Sequence, residues 1–237
     1  MVDAQFGTHI IADAKSKGIP AGIPVEKAGT GTFDFDYGGR WADHIRFIAP
    51  DMVKALVSFH PEGDPAENHT QMARLKLLSD YIRSTEDQYF MFELLVPATT
   101  DEEKSAGDRY DTEIRPHRMV ESIKAIQDFG IEPDVWKIEG LDEREHAEAV
   151  AAQVRAGDER KDVGCVILGR GSNKEKVHQW LETAAPVPGF IGFSVGRTNF
   201  SEPLKLFLEN RNEEDVAIDT IASNYKECVD IWQKAQK

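Results

Sequence analysis

The stretch EPDVWKIEG, Glu132 to Gly140, sets Lys137 in the middle of a short apolar run and Glu139 two residues beyond it. A buried ammonium costs several kcal/mol unless it is paired or neutralised. Flanked by Val135, Trp136 and Ile138, Lys137 is expected to be partly desolvated, which favours the neutral amine that attacks carbonyls to form a Schiff base. The alternative is an edge-strand lysine whose ammonium snorkels to water. Glu93, in YFMFELLV, poses the same problem for a carboxyl. Inside an apolar strand it must pair with a cation or keep its proton, and the second state suits general acid–base work. Its bland counterpart is a structural ion pair with Lys54.

Two Gly-Arg pairs follow apolar runs near the C-terminus: Gly169-Arg170 in VILGRGSNK and Gly196-Arg197 in FSVGRTNF. Backbone N–H groups at a helix start, together with a guanidinium, make a phosphate cradle. Glu26-Lys27, in IPVEKAGTG, ends an early run and enters a glycine-rich turn. On its own it reads as an exposed charged loop. The seven histidines show no H-x-x-x-H or HExxH spacing, so a metal centre is disfavoured, although His60 and His117 could meet in space. No metal and no organic cofactor are expected.

These residues need elements to hold them. Short apolar runs at Ala21–Val25, Met52–Phe59, Tyr89–Val96, Val135–Glu139, Gly164–Leu168 and Gly189–Val195 have strand character, and amphipathic segments separate them. Asp64–Arg83 opens with an N-cap and a proline and carries Met72, Leu75, Leu78 and Ile82 on one stripe. His117–Phe129, Glu143–Arg155 and Asn173–Ala184 follow the same pattern. Two closing helices are expected at Glu202–Glu209 and Glu213–Lys234, the latter capped by Asn212. This βαβα order implies a parallel sheet, either open and doubly wound or a (β/α)8 barrel. No G-x-G-x-x-G follows the first strand, which argues against a dinucleotide fold. Lys54, Glu93, Lys137 and Glu139 lie on like faces of three strands. That favours a barrel, where such groups converge near the strand C-termini.

With 237 residues, 41% of them hydrophobic, the chain has material for one sizeable core, and a single domain over 1–237 is expected. No apolar run approaches ~18 residues and the N-terminus lacks a secretory pattern, so a cytoplasmic protein is expected. Cys165 and Cys228 give neither a disulfide framework nor a metal spacing. A net charge of −14 disfavours nucleic acid and anionic membrane surfaces as partners. It also repels small anions at long range, so any phosphate site must be local.

Taken together, VKALVSFHPEGDPAENHTQMARLKLLSDY, FMFELL, DVWKIEG and GFSVGRTNF resemble the class I aldolases related to tagatose 1,6-bisphosphate aldolase. They are more similar still to the aldolase-like domain at the C-terminus of some 5-dehydro-2-deoxygluconokinases. The resemblance covers nearly the whole chain in order. It implies a (β/α)8 barrel with the imine-forming lysine of the sixth strand at Lys137. It puts the strand-four lysine at Lys54, the strand-five glutamate at Glu93, and the strand-three Glu-Lys at Glu26 and Lys27. The strand-eight phosphate-binding pair falls on Gly196 and Arg197. Glu139, Gly169 and Arg170 join the expected substrate-binding set.

The implied activity is a carbon–carbon lyase of carbohydrate metabolism. It would cleave a phosphorylated ketose or keto-acid, such as 5-dehydro-2-deoxygluconate 6-phosphate or a ketohexose phosphate. The alternative is a catalytically impaired sugar-phosphate-binding barrel acting as a regulatory or assembly partner. With Ala21–Val25 as strand three, MVDAQFG is the tail of strand two, and the first βα unit, with the aspartate the family carries there, is expected to be missing. An uncovered sheet edge invites pairing. Homo-oligomerisation, or a rearranged Met1–Ile11 segment over the gap, is therefore expected.

Overall fold

A computed structural model describes residues 1–85 and 87–237. The elements in chain order are α1 (Ala4–Ser16), β1 (Gly22–Pro24), α2 (Trp41–Ile48), β2 (Met52–Ser58), α3 (Pro65–Arg83), β3 (Tyr89–Leu95) and α4 (Thr100–Ala106). Then come α5 (Arg115–Asp128), β4 (Val135–Glu139), α6 (Arg144–Val154), β5 (Gly164–Leu168), α7 (Lys174–Ala184), β6 (Phe190–Ser194), α8 (Arg197–Leu208) and α9 (Glu214–Ala235). The six strands form one parallel sheet in the order β1-β2-β3-β4-β5-β6. This is the α/β fold of a TIM-type barrel short of a βα unit, as the alternating pattern predicts.

The chain divides into two compact units, Met1–Trp136 with Ala156–Val163, and Lys137–Arg155 with Gly164–Lys237. In the first unit β2 pairs with β1 and with β3, both in parallel. Val53, Ala55 and Val57 of β2 and Phe90, Phe92 and Leu94 of β3 are buried on one face. Leu75, Leu78 and Ile82 of α3 are buried too, on the stripe read from the sequence. Asp64 caps α3 by accepting from the Ala66 and Glu67 N–H groups, and Pro65 sits in its first turn.

In the second unit β5 is buried throughout and pairs with β6. Asn173 caps α7 by accepting from the Lys176 N–H. Gly140, just past β4, lies against Trp180 of α7: a Cβ there would come within 1.9 Å of the indole. That residue must be glycine for the ring to lie where it does.

Several boundaries differ from expectation. MVDAQFG is not a strand tail beyond its first residues. The Val2 N–H donates to the Gly22 carbonyl beside β1, but the Asp3 side chain accepts from the Gln5 N–H and starts α1 at Ala4. Gly7, with φ −124° inside that helix, obscured the periodicity. Asn212 does not cap the last helix; the N-cap is Glu213, one residue later. α8 begins at Arg197, five residues before expectation, and runs through Pro203, whose missing N–H falls in the second turn. α2 and α4 were not expected at all, although the Thr99–Glu102 capping box announces α4.

Candidate active site

The first unit builds a buried charge cluster from register alone. Pro24 of β1 and Met91 of β3 stand opposite Lys54 on β2. Two residues further along those neighbours come Glu26 and Glu93, on the same face as Lys54 because strand side chains alternate. Lys54 Nζ bonds Glu26 Oε1 and lies 3.0 Å from Glu93 Oε2. Burial works against the Lys54 charge, but the two carboxylates outweigh it and its pKa is raised. Glu93 therefore meets its burial by pairing with a cation.

Beyond this cluster the chain from Glu26 to Phe35 closes into a hairpin. Glu26 and Phe35 form an antiparallel bridge, and the Lys27 N–H donates to the Asp34 carbonyl. From α3, Gln71 Oε1 accepts from the Phe33 N–H, and Arg74 donates to the Phe33 carbonyl. Phe33 and Phe35 are buried, and Phe35 stacks on Trp41 at 4.5 Å between centroids. The glycine-rich turn is thus a braced wall, with Gly29 at φ +78° as its tight corner.

That wall, with Asp3, Leu56, Ser58 and Leu95, encloses a cavity of about 400 Å³. Glu26 Oε2 is buried with no hydrogen-bond partner among the described residues. An unsatisfied buried acceptor costs about 1–3 kcal/mol, more when charged. Lys27 also lines the cavity, with its side chain exposed rather than in the ion cluster.

The loops after β2 and β3 carry a second polar group that the sequence reading did not assemble. His60 Nε2 lies 3.1 Å from Glu102 Oε2, while His60 Nδ1 accepts from the Glu62 N–H at 3.1 Å. Arg118 holds Glu102 Oε1 at 2.8 Å and Glu62 Oε1 at 2.8 Å. Burial pushes the Glu102 carboxyl up, but the Thr99 N–H, the Arg118 guanidinium and the Thr99 hydroxyl together hold it below the ordinary value. Among the described residues, no three His, Cys, Asp or Glu side chains are placed to hold a metal ion.

In the second unit Lys137 is half-buried on β4, next to the fully buried Ile138. Glu139, two residues on, is 1% exposed, and Arg170 Nε lies 2.8 Å from its Oε1. Arg170 sits at φ +50° between Gly169 and Gly171, in a turn closed by the Ser172 N–H on the Gly169 carbonyl. The Thr198 hydroxyl donates to the Ser172 carbonyl, tying this loop to the start of α8. Gly196 caps α8 without a side-chain hydrogen bond, and Arg197 opens its first turn. A Cβ on Gly171 would stand 3.5 Å from Arg197 Nη2, so the loops after β5 and β6 bring both arginines to one end of this unit.

Residues 1–236 match the family described as "Uncharacterized protein conserved in bacteria (DUF2090)". The chain belongs to the DUF2090 family. No curated protein sequence matches it. Among solved structures, this DUF2090 chain is similar to a fructose-bisphosphate aldolase from Plasmodium falciparum, solved in complex with TRAP and a small-molecule inhibitor. The TM-score is 0.63 and the identity 11%, over 96% of this chain and 72% of that one. It is also similar to Cgl0159 from Corynebacterium glutamicum, with a TM-score of 0.57 and 17% identity, over 91% of this chain and 68% of that one. At these identities the likeness is one of fold: the DUF2090 chain has an aldolase-like fold.

Proposed function

We propose that this DUF2090 protein is a class I aldolase that cleaves a phosphorylated ketose or keto-acid reversibly through a Schiff base on Lys137. The observation that carries the reading is Lys137 itself. It is a half-buried lysine in the middle of a β4 strand, next to fully buried Ile138, in a chain with an aldolase-like fold. A lysine on a strand interior needs a reason, and covalent catalysis supplies one.

In the proposed reaction the Lys137 amine adds to the substrate carbonyl and water leaves, giving an iminium. A base takes the proton of the hydroxyl on the far carbon of the bond to be broken, the carbon β to the iminium; that oxygen forms the carbonyl of the released aldehyde as the carbon–carbon bond breaks. Its electron pair moves to the iminium nitrogen, leaving an enamine. Protonation and hydrolysis return the amine and a ketone such as dihydroxyacetone phosphate. Glu93 is assigned proton transfer, Lys54 a fixed positive charge, and Gly169, Arg170, Gly196 and Arg197 the phosphate. Glu26, Lys27 and Glu139 complete the substrate contacts. The nitrogen acts as electron sink, and the proposal uses no metal or organic cofactor. A single domain over 1–237, a cytoplasmic setting and a homo-oligomer belong to the same proposal.

The test is reductive trapping. Borohydride added with dihydroxyacetone phosphate is expected to leave a covalent adduct on the peptide carrying Lys137, and none in Lys137→Ala. A wild-type protein that gains no adduct with any phosphorylated ketose would instead be the impaired, sugar-phosphate-binding barrel.

A further inference from the structure

We propose that residues 97–109, which carry α4, are a lid over the His60 imidazole, latched by the Glu102 carboxylate, and that its opening presents His60 at the strand-end rim of the first unit. The lid, its latch and His60 all belong to that unit. Across 97–109, Glu102 is the single buried residue. No buried apolar side chain anchors α4, and a segment so held opens locally at a far lower free energy than the core. The neck is firmer. Val96 is buried, Tyr110 is 6% exposed, and the Tyr110 hydroxyl donates to the Val96 carbonyl at 3.1 Å. The two ends of the segment therefore stay together while its body can move. Gly107, at φ +51°, and the π turn Tyr110–Ile114 are where the backbone leaves α geometry beyond α4.

The latch is made of charge. Glu102 Oε2 accepts from the Thr99 N–H at 2.9 Å and lies 3.1 Å from His60 Nε2, while Oε1 accepts from Arg118 Nε at 2.8 Å. His60 Nδ1 accepts from the Glu62 N–H, so the hydrogen of the neutral ring is on Nε2, facing Glu102. Opening gives up the Glu102 contacts to His60 and Arg118, and Glu102 gains water in exchange. It does not strand Arg118, whose Nη1 keeps Glu62 at 2.8 Å and Glu121 at 2.9 Å. That keeps the open state within reach of the closed one. His60 is 5% exposed and lies two residues past Ser58, which ends β2 and lines the cavity of the first unit. An imidazole at that strand end is a proton donor and acceptor that the closed lid withholds.

The lid does not depend on imine chemistry at Lys137, and it is tested without turnover. The experiment is histidine carbethoxylation by diethyl pyrocarbonate, located by peptide mass spectrometry, with hydrogen exchange on the same full chain. Glu102→Gln keeps a side chain that can close the Thr99 capping box but removes the charge from the latch. It is expected to raise the labelling rate at His60 by about tenfold or more, the loss of a charge-assisted contact. The exposed His9 and His69 serve as internal references. Exchange of the amides between 103 and 107 should quicken with it. The wild type decides the matter if Glu102→Gln does not fold. In low urea its His60 labelling and its exchange between 103 and 107 should stay flat, because a local opening exposes little surface, while the amides of β2 quicken. His60 labelling as slow in the folded variant as in the wild type would overturn the proposal. So would fast amides without fast His60 labelling, or wild-type labelling that rises with urea in step with the β2 amides.

Discussion

Arg197 opens α8, whose N-cap Gly196 makes no side-chain hydrogen bond, so a guanidinium-bearing residue and the positive end of the helix dipole belong to the same turn. If the pair with Gly196 holds phosphate, Arg197→Ala should raise KM for a phosphorylated ketose by about 10- to 150-fold, the worth of a charge-assisted hydrogen bond. The unphosphorylated analogue should change little. Equal effects on both substrates would make Arg197 a structural residue of the loop that Gly171 approaches. Lys137→Ala should abolish turnover while far-UV circular dichroism stays native, because the loss is one of chemistry and not of packing. Near wild-type turnover in that variant would exclude the Schiff base.

Lys54 makes a prediction about stability. Its folded pKa is raised above the ordinary lysine value of 10.5, so its pairing stabilises the fold fully below that pH and is lost as pH rises through the folded value. Lys54→Met should lower stability at neutral pH by about 3–5 kcal/mol, since it strands two buried carboxylates. It should also flatten the fall in melting temperature above pH 10.5. An alkaline limb identical in wild type and variant would show that Lys54 does not titrate with unfolding.

At the scale of elements, Gly140 is the sharpest constraint. The Trp180 indole, fixed by its N–H on Asp142 Oδ1 at 2.7 Å, fills the space a Cβ would need. Gly140→Ala should cost about 1–3 kcal/mol by overpacking and lower the melting temperature by several degrees. Gly39→Ala, where nothing lies within 4 Å, is the control and should change little. Equal melting temperatures for the two variants would mean that Trp180 moves aside freely.

The elements also show which parts of the fold could be read from residues. The six strands were legible because each is a short apolar run bounded by turn residues, and α3 because Asp64-Pro65 and its stripe obey local rules. The Glu26–Lys54–Glu93 contact was half legible. Alternation put Lys54 and Glu93 on like faces, but only the parallel register shows Glu26 and Glu93 flanking the same ammonium. α1 is hard to read because Gly7 interrupts its pattern, and α8 reads short because Pro203 looks like a first-turn proline of a helix opening at Glu202. The Arg170–Glu139 pair depends on a left-handed turn between two glycines, which spacing alone does not reveal. The hairpin behind the cavity is invisible for a similar reason: its braces, Gln71 and Arg74, come from α3, 38 and 41 residues from Phe33.

For the molecule as a whole, the exposed surface carries two opposing instructions. A net charge of −14 repels like chains, yet Phe200, Leu204 and Leu208 stand at i, i+4 and i+8 along α8 as an exposed apolar stripe, with Leu208 69% exposed. On α1, Phe6 and Ile10 repeat the spacing. A row of large apolar side chains left in water on one helix face is the usual mark of a surface that another chain covers. We therefore expect self-association through α8. At low micromolar concentration, light scattering should give a mass above the 26.6 kDa of one chain. Because the charges oppose assembly and are screened over about 8–10 Å at physiological salt, the association should strengthen as salt rises. Leu204→Glu with Leu208→Glu should return the mass to that of one chain at every salt concentration, with circular dichroism unchanged, since both side chains already face solvent. A wild-type protein that scatters as a single chain even in high salt would refute this assignment and leave the stripe on α8 without a role in assembly.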